Sequence, residues 1–353
     1  MKFPTCLALF LLPCTLAAPA LHPHTVPPLP DGMPNPDAEQ LQQIQHRAHG
    51  SLPNSPLPST ISDKGITNLQ LIAFNELFEV AFFNELLLNV TLNIPGYMIL
   101  NKIDRAFAIE TLTAILAQEE VHALTANNAL KHFNKDPIEP CNYTFPVSTF
   151  QDAIALAATF TDVVLGTLQD VIVRFAANKD VELMRVIAAT IGNEGEQQGW
   201  FRLLQDKIPS ESPTLTTTDV NFAFTAVQNF ILPGTCPNIK NINLKTFPGL
   251  HIVTTPGART QKILVSFSVK DHNVPGELWL TYINQLNVPV VVPLEVVEVG
   301  KEDVVVAKAL WPYDEHLLNG LTIAVVTGSG GPFGDVNAVE QATLFGPGLI
   351  ILN

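Results

Sequence analysis

The stretch AILAQEEVHAL, residues 114–124, sets ionisable groups inside an apolar helical pattern. Glu119 and His122 stand three residues apart, so a helix carries both on one face, one turn apart. Taking Glu119 as reference, Ala108, Leu112, Ile115, Ala123, Ala126, Leu130 and Phe133 fall within about 40° of it. His122 lies about 60° to one side. The pair therefore faces a core, whereas Glu120, about 100° away, is expected to face water. The same test on NLQLIAFNELFEVAFFNELL centres the apolar stripe on Glu76, with Glu79 about 60° off. On MRVIAATIGNEGEQQGWF it centres on Glu194, with Gln197 three residues on. On TFQDAIALAATFTDVVLGTLQDVI the midline residue is Thr161.

An uncompensated carboxylate in a dry core costs several kcal/mol even after relaxation. Three together repel and drive a proton onto at least one of them. A bound cation removes the conflict, and Glu-x-x-His on one helical face is the arrangement that carboxylate-bridged metal bundles use. A lone Glu-x-x-His is commonly a solvated surface pair. Three helices that each centre a carboxylate on the apolar stripe weigh for a shared metal site.

Four long helices must position these groups: about 68–88, 104–133, 149–177 and 180–205. Ser148 with Gln151 three residues on reads as a capping box opening the third. Four such helices imply a four-helix bundle. The third and fourth are joined by two or three residues and must be antiparallel neighbours. The link between the second and third, 134–148, holds Pro137, Pro140 and Pro146. Extended, it spans about 45 Å, the length of the helix before it, so it can cross over along the bundle.

Beyond the linker DKIPSESPTLTTT the period changes. KILVSFSV alternates, and ELWLTYI, VPVVVPL, EDVVVAKAL and LTIAVVTG follow between Gly, Pro and Asn breaks, the signature of an all-β sandwich. GSGGPFG lacks the lysine and helix of a phosphate loop and reads as a turn. The expected fold is α+β and multidomain, a four-helix bundle followed by a sandwich-like C-terminal domain. Its parts are a signal peptide (1–20), a Pro-rich tail (21–60), the bundle (61–206), a linker (207–218) and a β-rich domain (219–353).

The formal net charge of −14 over 353 residues argues against nucleic acid and anionic lipid as partners. The N-terminal MKFPTCLALFLLPCTLAAPA reads as a secretory signal cleaved near Ala18-Pro19-Ala20, which implies a secreted, extracellular or cell-wall protein. No later stretch reads as a membrane span. The tail is expected to be extended or loosely docked, with a short helix in DAEQLQQIQHRAHG capped by Asp37. Cys6 and Cys14 leave with the signal. Cys141 and Cys236 are expected to pair, the alternative being two buried thiols. Asn89 and Asn142 head glycosylation sequons.

These residues resemble the ferritin-like superfamily. RAHGSLPNSPLP, LQLIAFNELFEVAFFNELLLNVT, AQEEVHALTANNALKHF and PGTCPNI are similar to the secreted fungal late sexual development proteins. That group also takes in glucose-repressed stress response proteins and, more distantly, plant desiccation-related proteins. The resemblance covers roughly residues 37–353 and implies a ligand pattern of Glu, Glu-x-x-His, Glu and Glu-x-x-His on successive helices. Glu76 matches the first, and Glu119 with His122 the second. Thr161 stands where the third carboxylate belongs, and Glu194 with Gln197 replaces the fourth pair. A hydroxyl and an amide are poor ligands for iron.

Three functions compete at this stage. The first is a non-catalytic secreted ferritin-like protein of development or stress, with a degenerate or weak iron or manganese site at Glu76, Glu119, His122 and Glu194, and Glu79, Thr161 and Gln197 secondary. The second is an iron- or manganese-dependent oxidoreductase. The third is a binder of cell-wall polysaccharide, with Trp279, Trp311 and Tyr313 as stacking platforms, although core packing is the commoner fate of such rings.

Overall fold

The computed structural model describes residues 29–99, 104–272, 274 and 276–353. The signal-peptide reading, with Cys6 and Cys14, lies outside the described residues. Helix α1 (Ala38–Arg47) is followed by four long helices, α2 (Asp63–Thr91), α3 (Arg105–His132), α4 (Phe150–Ala177) and α5 (Met184–Leu204). A single 3-10 turn, Val181–Leu183, precedes α5. Helices α2 and α3 pack as one pair, α4 and α5 as another, and α2 joins the two pairs through α4.

Local chemistry sets the helix ends. The Ser62 hydroxyl accepts from the Gly65 N–H at 2.9 Å and donates to Asp180 at 2.6 Å. One serine thus caps α2 and ties it to the α4–α5 turn, starting the helix five residues before the apolar pattern does. Asp37 forms the capping box of α1 with Gln40. The cap of α4 is Thr149, which accepts from the Asp152 N–H at 3.1 Å, and not Ser148. The Ser148 carbonyl lies where a side chain on Gly96 would stand. That close approach holds Ser148 outside the helix.

The crossover from α3 to α4 runs along α2. At one end Asn127 of α3 pairs both ways with the Ile138 backbone, at 2.8 and 3.0 Å. Farther on, Tyr143 and Phe145 pack on Phe78, and Phe145 on Phe82, with ring centroids 5.1–5.7 Å apart. At the other end the Tyr97 hydroxyl donates to the Val147 carbonyl at 3.1 Å.

Two sequence expectations are corrected here. The tail is docked, not loose, over its described part: Leu29, Met33, Ile44 and Ala48 are buried in the bundle core, and α1 packs on α3. Helix α4 does reach the length and hydropathy of a membrane span, with mean hydropathy 1.5, but 72% of that window is buried inside the protein. Its apolarity is that of a central core helix.

Helix α6 (Val220–Gln228) belongs spatially to the bundle, although the sequence places it after the linker. Phe224 packs on Phe74 and Phe230 on Phe78, both at 5.2 Å, and Ile242 completes the same core. The disulfide Cys141–Cys236 joins this segment to the crossover. The linker reaches α4 at Gly166, where a Cβ would strike the Thr216 carbonyl.

The C-terminal part is a sandwich of two antiparallel four-stranded sheets. One holds β1 (His251–Ile252), β2 (Gln261–Ser268), β6 (Val304–Trp311) and β5 (Glu295–Val299), in that order. The other holds β4 (Val290–Pro293), β3 (Trp279–Asn284), β7 (Gly320–Thr327) and β8 (Thr343–Leu352). Alternate residues Ile263, Val265, Phe267, Val305, Ala307, Ala309 and Trp311 face Leu280, Tyr282, Ala324 and Val326 across the core. β7 is buried at every position, because Leu321, Ile323 and Val325 on its other face pack against Val163 of α4 and Phe222 of α6. Burial on both faces explains why its sequence is mostly apolar, interrupted only by Thr322 and Thr327, instead of alternating. Trp311 is fully buried and donates to the Gly257 carbonyl at 3.2 Å, so it offers no face to a sugar.

The disulfide closes a loop across 95 residues of sequence. Replacing both cysteines by serine is expected to remove about 2–5 kcal/mol of stability. A lowered urea midpoint by tryptophan fluorescence is the reading; an unchanged midpoint contradicts it.

Candidate metal centre

Three helices bring their midline groups to one point. His122 Nδ1 of α3 lies 3.1 Å from Glu119 Oε2 on its own helix, 3.4 Å from Glu76 Oε2 of α2 and 3.4 Å from Glu194 Oε1 of α5. Each residue offers one ligand atom, and the four atoms lie within 4.8 Å of one another. The three carboxylates are 0–1% exposed, and the His122 side chain 13%.

The other residues expected at the site take different places. Gln197 Nε2 donates to Glu119 Oε1 at 2.6 Å and to Gln118 Oε1 at 3.2 Å. It orients Glu119 instead of adding a ligand of its own. Gln118 also accepts from Asn193 at 3.3 Å. Neither Gln118 nor Asn193 stood out in the sequence, and adjacency to Glu119 and Glu194 is the only signal they give. Thr161 of α4 is fully buried, and its hydroxyl has no hydrogen-bond partner. The neighbouring Asp162 turns away, accepting from Gln198 at 2.6 Å. Helix α4 thus brings no carboxylate to the cluster. Glu79 is fully buried, neither of its oxygens has a partner, and it lies outside the four-atom group.

Glu120 is the clearest departure from the sequence reading. It is fully buried, not solvated, because α1 and the segment before it cover that face of α3. Arg47 bonds Asp31 at 2.6 Å and stands 3.9 Å from Glu120. The helical wheel was right about the angle; a cover from another part of the chain changed the environment. Asn89 and Asn142, heading the two sequons, are half-buried, Asn89 in the last turns of α2 and Asn142 in the crossover beside Cys141.

The electrostatics follow from crowding acids in a dry core. Burial raises the Glu76 carboxyl to about 7, against the pull of His122, with Glu119 adding to the rise. Burial also lifts Glu194 and Glu79 well above the carboxylate range, and their acidic neighbours add to both. Burial works against ionised Glu119 too, but His122 and the Gln197 amide outweigh it and lower its pKa. Burial alone would lower His122; Glu119 and Glu76 overcome it and hold the imidazolium well above its ordinary value. Glu120 is pushed up to about 9 by burial and by Asp31, with Arg47 opposing.

A divalent cation fits this donor set. Both oxygens of Glu76 and of Glu194 lack a hydrogen-bond donor, leaving buried acceptors that a cation would satisfy. Carboxylates with one imidazole and no thiolate suit manganese, iron or zinc in preference to soft ions. Residues 63–207 match the family model of a ferritin-like domain, a span that contains α2 to α5 and all four ligand residues. Among curated proteins none matches the chain.

The sign of the pH dependence follows from proton counts. Folded Glu76 at about 7 and Glu120 at about 9 stand above their unfolded values, as does His122. Between the unfolded and folded values the folded chain holds the extra proton, so stability falls as pH rises through that interval. The lowered pKa of Glu119 acts with the opposite sign, but only below the ordinary carboxylate range. The melting temperature of chelator-treated protein should fall from about pH 5 to about pH 9. Glu120→Gln should flatten the upper part of that fall, and a melting temperature that rises with pH contradicts the assignment.

Proposed function

We propose that this chain is a secreted ferritin-like protein of fungal development or stress response whose bundle holds one divalent cation, iron or manganese, without turning over a substrate. The observation that carries the reading is the convergence of Glu76, Glu119, His122 and Glu194, four ligand atoms within 4.8 Å in a water-poor core. When bound, the cation supplies positive charge to three buried carboxylates and takes the place of the proton on His122 Nδ1. Gln197 keeps Glu119 aimed through the 2.6 Å hydrogen bond. Cation binding releases protons, since the raised groups must ionise to ligate.

The departures at Thr161 and Gln197 support holding a cation over catalysis. They leave one carboxylate–imidazole set where the resemblance implies two. The disulfide supports secretion, because such bonds persist in oxidising compartments.

The test is elemental analysis of protein loaded anaerobically with Mn(II) or Fe(II). One equivalent per chain is expected, with affinity weakened roughly a hundredfold or more in Glu119→Ala. Thr161→Glu combined with Gln197→His is expected to raise the stoichiometry toward two. Chain that takes up neither metal sinks the proposal.

A further inference from the structure

Between α2, α4, α6 and β8 lies a cavity of about 150 Å3 that cation binding does not use. Phe78, Phe160, Val164, Val227, Phe230 and Leu349 make its wall largely apolar. Two buried polar side chains interrupt that wall, Asn75 and Glu79, one helical turn apart on α2, while the polar Thr159 and Asn229 lie toward solvent. Asn75 is 4% exposed and Glu79 is 0% exposed. Asn75 Oδ1 and both carboxylate oxygens of Glu79 have no hydrogen-bond partner. Buried polar atoms are rarely left unpaired in native proteins. Unpartnered polar atoms on two side chains of one cavity wall, Asn75 Oδ1 and the carboxyl of Glu79, point to a partner from outside the chain.

Size and shape narrow the guest. An apolar cavity of about 150 Å3 accommodates a benzene-sized molecule, and drug-sized ligands need roughly 300 Å3 or more. Phe160 and Phe230 meet Phe78 at centroid distances of 5.3 and 5.2 Å, a cluster of tilted and edge-on rings that an aromatic guest can join. Leu156 and Thr159 are half-buried and Asn229 is exposed, which places the mouth on the side of α4 and the end of α6.

We infer that this cavity binds one neutral, benzene-sized aromatic molecule carrying a hydroxyl donor, its ring among Phe78, Phe160 and Phe230 and its hydroxyl on Asn75 and Glu79. Phenol is the simplest member of the class. The inference goes beyond the cation reading: Asn75 and Glu79 lie outside the four-residue cluster, although Glu79 feels the charges of its acids.

Calorimetric titration of phenol and of benzene into the full, chelator-treated chain tests it. One phenol per chain is expected, with benzene about fivefold weaker for want of one hydrogen bond. Asn75→Leu should weaken phenol by about the same factor and leave benzene unchanged. Ala226→Trp, which fills the cavity from α6, should abolish binding of both. Circular dichroism checks that each variant is folded, and Leu156→Trp at the mouth serves if Ala226→Trp is not. Absence of saturable phenol binding to the unsubstituted chain overturns the inference, as does phenol binding unmoved by the filled cavity. A parallel Mn(II) titration reports on the cation site, so failure of one reading is distinguishable from failure of the other.

Discussion

Three carboxylates share one water-poor interior with a single imidazole, and the organisation of the bundle follows from that. Isolated charges of this kind are costly to bury, and together they repel. They persist only where the backbone gives them no route to solvent. Long helices supply that rigidity: α2, α3 and α5 each bring one buried carboxylate to a common point. His122 sits within 3.1–3.4 Å of all three acids and lowers the cost by carrying a proton or yielding its place to a cation. The ferritin-like domain at residues 63–207 is thus a frame for one electrostatic problem.

Much of this was legible in the sequence, because helical period and charge placement interact so plainly. An acid at the centre of an apolar stripe has one geometric meaning, and it recurs at Glu76, Glu119 and Glu194. The crossover was legible from its prolines and its reach. Glu120 was not. Its angle on α3 points away from the bundle axis, yet a distant segment, anchored by Ile44 and Arg47, lies over it. Helical periodicity carries no information about what other parts of the chain will cover. Helix α6 was hidden for a related reason. A polar, proline-bearing linker precedes it, and a change of composition along the chain resembles a change of domain. The cavity beside Asn75 was out of reach altogether, since a void is made by side chains that fail to meet, and no single segment encodes it.

The sandwich shows the same logic in β form. Strands with one covered face alternate, as β2 and β6 do, whereas β7 is buried throughout because α4 and α6 cover its outer face. The two halves of the chain therefore meet through a shared hydrophobic cluster in which Val163, Phe222, Ile323 and Val325 are all buried. The large aromatic side chain at Trp311 is spent on the sandwich interior, against Tyr282 at 5.3 Å.

The bridge between the crossover and the segment after α6 bears on how the molecule is made. A wall of the helical core, Phe224 and Phe230 against Phe74 and Phe78, comes from residues translated after all four long helices. A nascent chain released from the ribosome tunnel only as far as α5 would have an open flank and an unmatched Cys141. Closure must wait for Cys236 to emerge, so truncation at the apparent end of the bundle would yield a fragment with a bare aromatic side, poorly suited to recombinant isolation.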